Sequence, residues 1–414
     1  MYGAEYVEYV NDDGNVNYNR YNYTNGVRPV LNRKARGGRH VRRSESPDIK
    51  RIGNTSFQKE DKYKGIPMKD FDKVTDFGNL YSAYRSARRG KGHYSSKERF
   101  AAHAMRKLTT LQYRLKNKTY DVGAYNKFKI YEPKERIIES GTFVDNIVQH
   151  SLCDNALLPV LEKEFIPTNY AGQYGKGTLY GLDSLRDHEI AAFSEYGYDC
   201  WILKADIRKY FYSIEHDKLK EILREKIRDP ELMWLCEKFI DSTPSPGLPL
   251  GNQISQVFAL LYLSDLDHFI TEILDIQYYG RYMDDFYLIH QNKSHLEFCL
   301  FLIEDYLEEL GLTLNGKTQL IPFKNGIKFC GFHTYITPDG KVIRKLVNSK
   351  KRAAQKKYRR MAKLVKAGKL EPDKFKQSYL SWKSHISHGN CVKLAYQTDQ
   401  MIREILEEGC DMLI

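Results

Sequence analysis

QYYGRYMDDFYLIH, Gln277 to His290, is the stretch from which the fold can be read. Two apolar, aromatic-rich arms flank a pair of adjacent carboxylates, Asp284 and Asp285. Each arm has the composition of a short strand, so the pattern predicts a hairpin with both acids at or beside its turn. Two acids beside that much apolar surface are costly unless something cationic meets them. Turn preference alone would make them a solvated corner. A second stretch, CWILKADIRKYFYSI, Cys200 to Ile214, shifts the balance: an apolar run ends at Asp206, and cationic and aromatic residues follow. If the two stretches are neighbouring strands, Asp206 and Asp284 converge, and hard carboxylates with open positions suit Mg²⁺. Two such ions would hold an attacking hydroxyl, a phosphate and a leaving pyrophosphate in line, which is the chemistry of nucleotidyl transfer.

YMDD, Tyr282 to Asp285, in its RYMDDF context resembles the catalytic motif of reverse transcriptases, and DIRKYFYSI from Asp206 resembles that family's other carboxylate-bearing motif. Between them, GLPLGNQISQ, Gly247 to Gln256, is similar to the family's third palm motif. Its GxxxSQ form is the one carried by bacterial diversity-generating retroelement enzymes, whereas group II intron relatives usually end the motif in SP. Any one motif is weak evidence; three in the right order and spacing are specific. The resemblance covers roughly Asn79 to Asn390.

The resemblance implies an α+β right-hand polymerase that copies an RNA template into DNA. Its expected parts are a disordered tail over 1–51, fingers with an N-terminal helical extension over 52–197, a palm over 198–343 and a helical thumb over 344–414. It implies two Mg²⁺ held by Asp206 and Asp284, with Asp285 and the backbone of Ile207 assisting. FKIYEPKERIIE, Phe128 to Glu139, matches the fingers hairpin, which places Arg136 and more weakly Lys134 over the nucleotide triphosphate. An arginine fork makes paired, charge-assisted bonds to phosphate. Phe211, five residues beyond Asp206, matches the ring that excludes a ribose 2′-hydroxyl; otherwise it is an ordinary core aromatic. Leu250, Gly251 and Gln256 fall in the nucleotide-binding loop, with Leu250 where many relatives carry a glutamine. Lys317 in LTLNGKTQ matches a lysine that neutralises departing pyrophosphate, and FCGF, with Phe329 and Gly331, resembles the primer grip. Lys176 in YAGQYGKGT and Tyr282 are expected at the template and primer.

Composition agrees with a polyanionic partner: 414 residues carry a net charge of +12 and 13% aromatic residues on which bases can stack. From Arg344 to Lys369 cations run without an acid, as expected of a thumb lying along a duplex backbone. Arg88, Arg89 and Lys91 around Gly90 are candidates for phosphate contacts. Seven scattered cysteines form no CxxC pair and read as reduced core residues of a cytoplasmic protein. His385 and His388 lack a third partner and imply no zinc site.

The N-terminus has no secretory pattern, and the most apolar helix candidate, Ile254 to Leu274, is broken by Asp265, Asp267 and His268, so no membrane span is expected. Asn11 to Asn25 is too polar to build a core, and Tyr21 to Asn32 resembles the end of a retroelement's variable target protein. The expected partners are an RNA template, a DNA primer and product, deoxynucleotides and, for a retroelement, a small helical accessory protein. Two other readings stay open: a defence-associated bacterial reverse transcriptase, and a nucleic-acid-binding scaffold with a dead palm.

Overall fold

The computed structural model describes residues 4–10, 16–22, 69–89, 95–131 and 135–407. They fall into two compact units, Met1–Lys64 and Gly65–Ile414. In the first, where the sequence suggests a mostly disordered tail, the strands Ala4–Val10 and Val16–Asn22 pair as an antiparallel hairpin. Tyrosines and valines supply strand propensity there, although a lone two-stranded hairpin is marginally stable in water. The basic run from Arg28 to Arg51 lies outside the described residues, as do Gly90, Lys91 and Lys134.

The second unit is built on a four-stranded antiparallel sheet in the order Tyr278–Tyr282, Asp285–His290, Trp201–Asp206, Gln319–Pro322. The two motif strands are therefore its central neighbours, as their apolar runs require, since a strand covered on both faces needs no polar side. The register pairs Ile202 with Ile289, Lys204 with Tyr287 and Asp206 with Asp285. Residues two apart share a face. Along one face the strands thus run from apolar, through lysine and tyrosine, to paired carboxylates at one end. The apolar part of that face packs under Leu185 and Ala192 of the helix Thr178–Tyr196 and under Phe323 and Phe329. The helix Lys293–Glu309 also packs on the central sheet, against the strands Trp201–Asp206, Asp285–His290 and Gln319–Pro322.

Around this sheet stand helical segments and two small sheets. The hairpin Asn126–Ile130 with Arg136–Ser140 is tied to the loop before the helix Gln253–Tyr262, since Glu139 N donates to Leu250 O at 2.9 Å. At Gly251, φ is +104° and an added Cβ would lie 2.7 Å from the Ile138 side chain, so only glycine lets loop and hairpin approach this closely. Helix Phe143–Leu152 begins in a reciprocal cap between Thr142 and Asp145. At the C-terminal end, helices Asn348–Lys366, Pro372–Ile386 and Val392–Glu407 share a core of Tyr358, Phe375, Tyr379, Ile402 and Leu406.

The helix Lys293–Glu309 is capped by Asn292, whose side chain accepts from His295 N. Two local expectations change. Arg344 belongs not to the basic helix but to the strand Val342–Leu346, where it is buried and donates to Leu182 O and His388 O. The apolar segment from Ile254 is three pieces, Gln253–Tyr262, Ser264–His268 and the π turn Phe269–Ile273.

The break at Leu263 has a consequence for the sheet. It lets Asp267 face inward, where Arg281 Nε and Nη2 donate to its two oxygens at 2.6 and 2.5 Å, and neither side chain has any exposed surface. Tyr279 Oη donates to the same carboxylate at 2.6 Å. Removing one partner leaves an unpaired buried charge, which costs roughly 3–5 kcal/mol. Asp267→Leu and Arg281→Met should each lower the unfolding free energy measured in urea by that order, whereas the double change Asp267→Leu, Arg281→Met should cost less than either. Additive losses in a double-mutant cycle would show that the pair is not coupled.

Candidate active site

Met283 and Asp284 form the two-residue loop of the hairpin, closed by the Tyr282–Asp285 pair. Met283 sits at φ +57°, a conformation that side chains with a Cβ avoid. Two contacts hold it there: Arg281 Nη1 donates to Met283 O at 2.9 Å, and Ile207 N donates to Asp284 O at 3.1 Å. The buried arginine thus clamps the turn that carries Asp284. The second bond stitches that turn to the residue after Asp206. The expected convergence of the two motifs is what the structure has.

Burial raises the Asp284 carboxyl above its usual range, and the nearby Asp206 charge adds to the rise; the Arg136 and Lys204 cations oppose it. Asp206 is oriented by Asn315, whose Nδ2 donates to Oδ2 at 2.9 Å while its backbone N donates to Asp206 O at 2.7 Å. Asp285 lies against the ammonium of Lys204. Burial presses that ammonium down to about 7, against the pull of Asp206 and Asp284.

Among the described residues no group of three or more His, Cys, Asp or Glu side chains is placed to hold a metal ion. Mg²⁺ can be held by one or two carboxylates, since it keeps its waters and takes further ligands from substrate phosphates. The repulsion that raises Asp284 is what a bound cation would relieve. The residues therefore fit the ion implied by the motifs.

The remaining expected residues divide by surroundings. Arg136 is exposed at the start of its strand and close enough to act on Asp284. Phe211 is half-buried on the short helix Tyr210–Ser213, and its carbonyl accepts from Leu248 N at 2.7 Å, which joins it to the Gly247–Gln256 loop. Leu250 is half-buried, while Gly251, Gln256 and Lys317 are exposed. Lys317 follows Asn315 in the loop bonded to Asp206. Tyr282 is half-buried at the end of its strand.

Two residues face otherwise than the resemblance suggests. Lys176 folds back to donate to Asn169 O at 3.0 Å and Ile166 O at 3.4 Å, anchoring its own loop. Phe329 is a core ring packed edge-on against Tyr287 at 5.2 Å; next to it, Cys330 and Gly331, both at positive φ, make the tight turn to Phe332. Asn315 and Lys204 were not foreseen. Lys204 was within reach, because two residues before Asp206 in a strand is the same face.

Residues 148–334 match the family model described as reverse transcriptase (RNA-dependent DNA polymerase). A curated relative, an uncharacterized 91 kDa protein in cob intron of Schizosaccharomyces pombe, is 33% identical over 82 residues, covering 18% of this chain and 10% of that protein. Among solved structures, telomerase from Candida albicans in complex with a fragment of telomeric RNA matches at 12% identity and a TM-score of 0.42, covering 74% of this chain and 65% of that one. Apo telomerase from Candida tropicalis matches at 15% identity and a TM-score of 0.39, covering 58% and 53%. The chain thus spans a tenth of its curated relative and less than two thirds of either solved chain. Residues 148–334, somewhat under half of the chain, are thus similar to the reverse transcriptase family.

Proposed function

We propose that the protein is an RNA-directed DNA polymerase that extends a DNA primer on an RNA template by two-metal nucleotidyl transfer. The observation that carries this reading is the convergence of Asp206 and Asp284 on one end of the sheet, with Arg136 facing them from the hairpin. Asp206 and Asp284 would hold two Mg²⁺, with Asp285 and the Ile207 backbone beside them; bound there, the ions align the attacking hydroxyl with the phosphate and spread the developing charge.

The chain's own residues do the rest. Asn315 keeps one Asp206 oxygen occupied and turns the carboxylate. The Arg136 fork grips the triphosphate from above, and Lys134, outside the described residues, is its expected companion. Lys317, carried on the Asn315 loop, lies ready to neutralise the leaving pyrophosphate. Phe211, tied to the loop of Leu250 and Gly251, sets the space beside the sugar. The acid-free helix Asn348–Lys366 holds the duplex backbone by charge.

Within this activity we favour a diversity-generating retroelement enzyme over a defence-associated one, on the GxxxSQ form of Gly251 to Gln256. The apolar Leu250, in place of a polar contact to the nucleotide, fits low fidelity. A variable target gene and a small accessory protein gene beside this one would support the choice, and their absence would favour defence.

In primer extension on RNA with Mg²⁺, Asp206→Asn and Asp284→Asn should each lose more activity than the roughly 10- to 100-fold typical of removing an outer partner of a metal ligand. Extension by either variant at the wild-type rate would exclude the site, and absence of extension by the wild type would favour a dead scaffold. In the same assay with mixed nucleotides, Phe211→Ala should admit ribonucleotides. Unchanged sugar discrimination would return Phe211 to the core.

A further inference from the structure

Lys204 stands under the three carboxylates, and the reaction proposed above gives it no task. It precedes Asp206 by two residues in the strand Trp201–Asp206 and therefore shares its face of the sheet. In the register it lies opposite Tyr287 on one neighbouring strand and Gln319 on the other. The Tyr287 hydroxyl is engaged elsewhere, with Tyr170 Oη at 3.1 Å and His188 Nδ1 at 3.0 Å. The ammonium sits instead over the Phe329 ring, 5.2 Å from its centre, and against the Asp285 carboxylate. Lys204 Nζ and Asp285 Oδ1 are both buried, and neither has another hydrogen-bond partner among the described residues.

A lysine side chain only 12% exposed has lost most of its hydration, so its charge is costly unless it is paired. The face of Phe329 offsets part of that cost, and Asp285 meets the charge. The consequence falls on Asp285. Asp206 and Asp285 are cross-strand neighbours, so the acids crowd one place, yet one of them already has its cation. A divalent ion arriving between Asp206 and Asp284 could draw in Asp285 only by breaking that pair, and it would then face a buried ammonium with no partner. Like charges repel strongly in so poorly hydrated a site. With the pair intact, the acids offer a cation two unpaired negative charges rather than three.

We propose that Lys204 is a positioning residue for the metal site: its ammonium holds Asp285 away from the ions, so that of the three acids only Asp206 and Asp284 coordinate them. The proposal rests on the polymerase reading above and divides the labour within its acidic motif.

The test is Mn²⁺ affinity, read from the paramagnetic resonance of the free ion, for the full chain with primer, RNA template and a non-reactive deoxynucleotide analogue. Lys204→Met keeps an unbranched stem against Phe329 and removes the charge; it should tighten binding about tenfold, the scale of coupling between contacting groups. Lys204→Arg should stay at the wild-type value. Asp285→Asn leaves the ammonium unpaired beside the ions and should weaken binding by a similar factor, whereas the double change Lys204→Met, Asp285→Asn should return to the wild-type value. Lys204→Gln supplies the same readout if the methionine variant does not fold. Unchanged or weaker binding by the uncharged variants, as a merely structural lysine would give, overturns the proposal. So does a double variant as weak as Asp285→Asn, which would make Asp285 itself a ligand. A wild type that binds no Mn²⁺ would instead overturn the two-metal reading.

Discussion

The arrangement depends on one buried ion pair. Arg281 and Asp267 have no exposed surface, and their isolation from water is expensive whichever way the pair is counted. A pair of well-packed apolar residues could hold a helix to a sheet as well. It could not do what Arg281 does with its other N–H groups: Nη1 donates to Met283 O at 2.9 Å, and Nη2, besides bonding Asp267, donates to Leu260 O at 3.3 Å. The guanidinium thereby joins the helix Gln253–Tyr262, the short helix Ser264–His268 and the hairpin turn. Met283 keeps a backbone conformation that a Cβ opposes, and Asp284 is presented at the tip. The ion pair is best understood as a positioning device whose cost is met by the surrounding core.

A second constraint is electrostatic. Asp206, Asp284 and Asp285 crowd one end of a largely apolar sheet, and the fold answers them unequally. Asp285 has Lys204 against it and Asp206 has an amide from Asn315, while Asp284 is raised by burial and by its neighbour. The cations available to Asp284 act from a distance. A site with this imbalance favours whatever brings positive charge to the gap between Asp206 and Asp284. The apolar-to-acidic gradient along the strands ensures that the gap opens at the end facing the Arg136 hairpin.

How much of this was legible in the sequence follows from the range of each interaction. The hairpin at Asp284 and Asp285 was legible because strand composition and turn chemistry are local, and its pairing with Trp201–Asp206 because both strands are continuous apolar runs. The Asp267–Arg281 pair was not, although Arg281 stands inside the deciding stretch: Asp267 looked like a charge interrupting an apolar helix, and no periodicity joins residues fourteen apart across a break. Lys176, flanked by glycines, looked free for a ligand, yet carbonyls of its own loop were nearer. Phe329 read as a grip on a nucleic acid, but its ring packs inward from a turn whose left-handed residues, Cys330 and Gly331, decide the direction. Arg344 looked continuous with the cationic helix because charge runs ignore strand ends; the alternation of Val342 to Leu346 was the better signal.

In the proposed reaction Asp206 and Asp284 together hold the divalent ions. The most direct measurement is the number of Mn²⁺ bound per protein, followed by the paramagnetic resonance of free Mn²⁺, in the complex with primer, RNA template and a non-reactive deoxynucleotide analogue. Two tightly bound ions are predicted for the wild type, both lost in the Asp206→Asn, Asp284→Asn double variant while the nucleic acid stays bound. An unchanged stoichiometry in that variant would contradict the account.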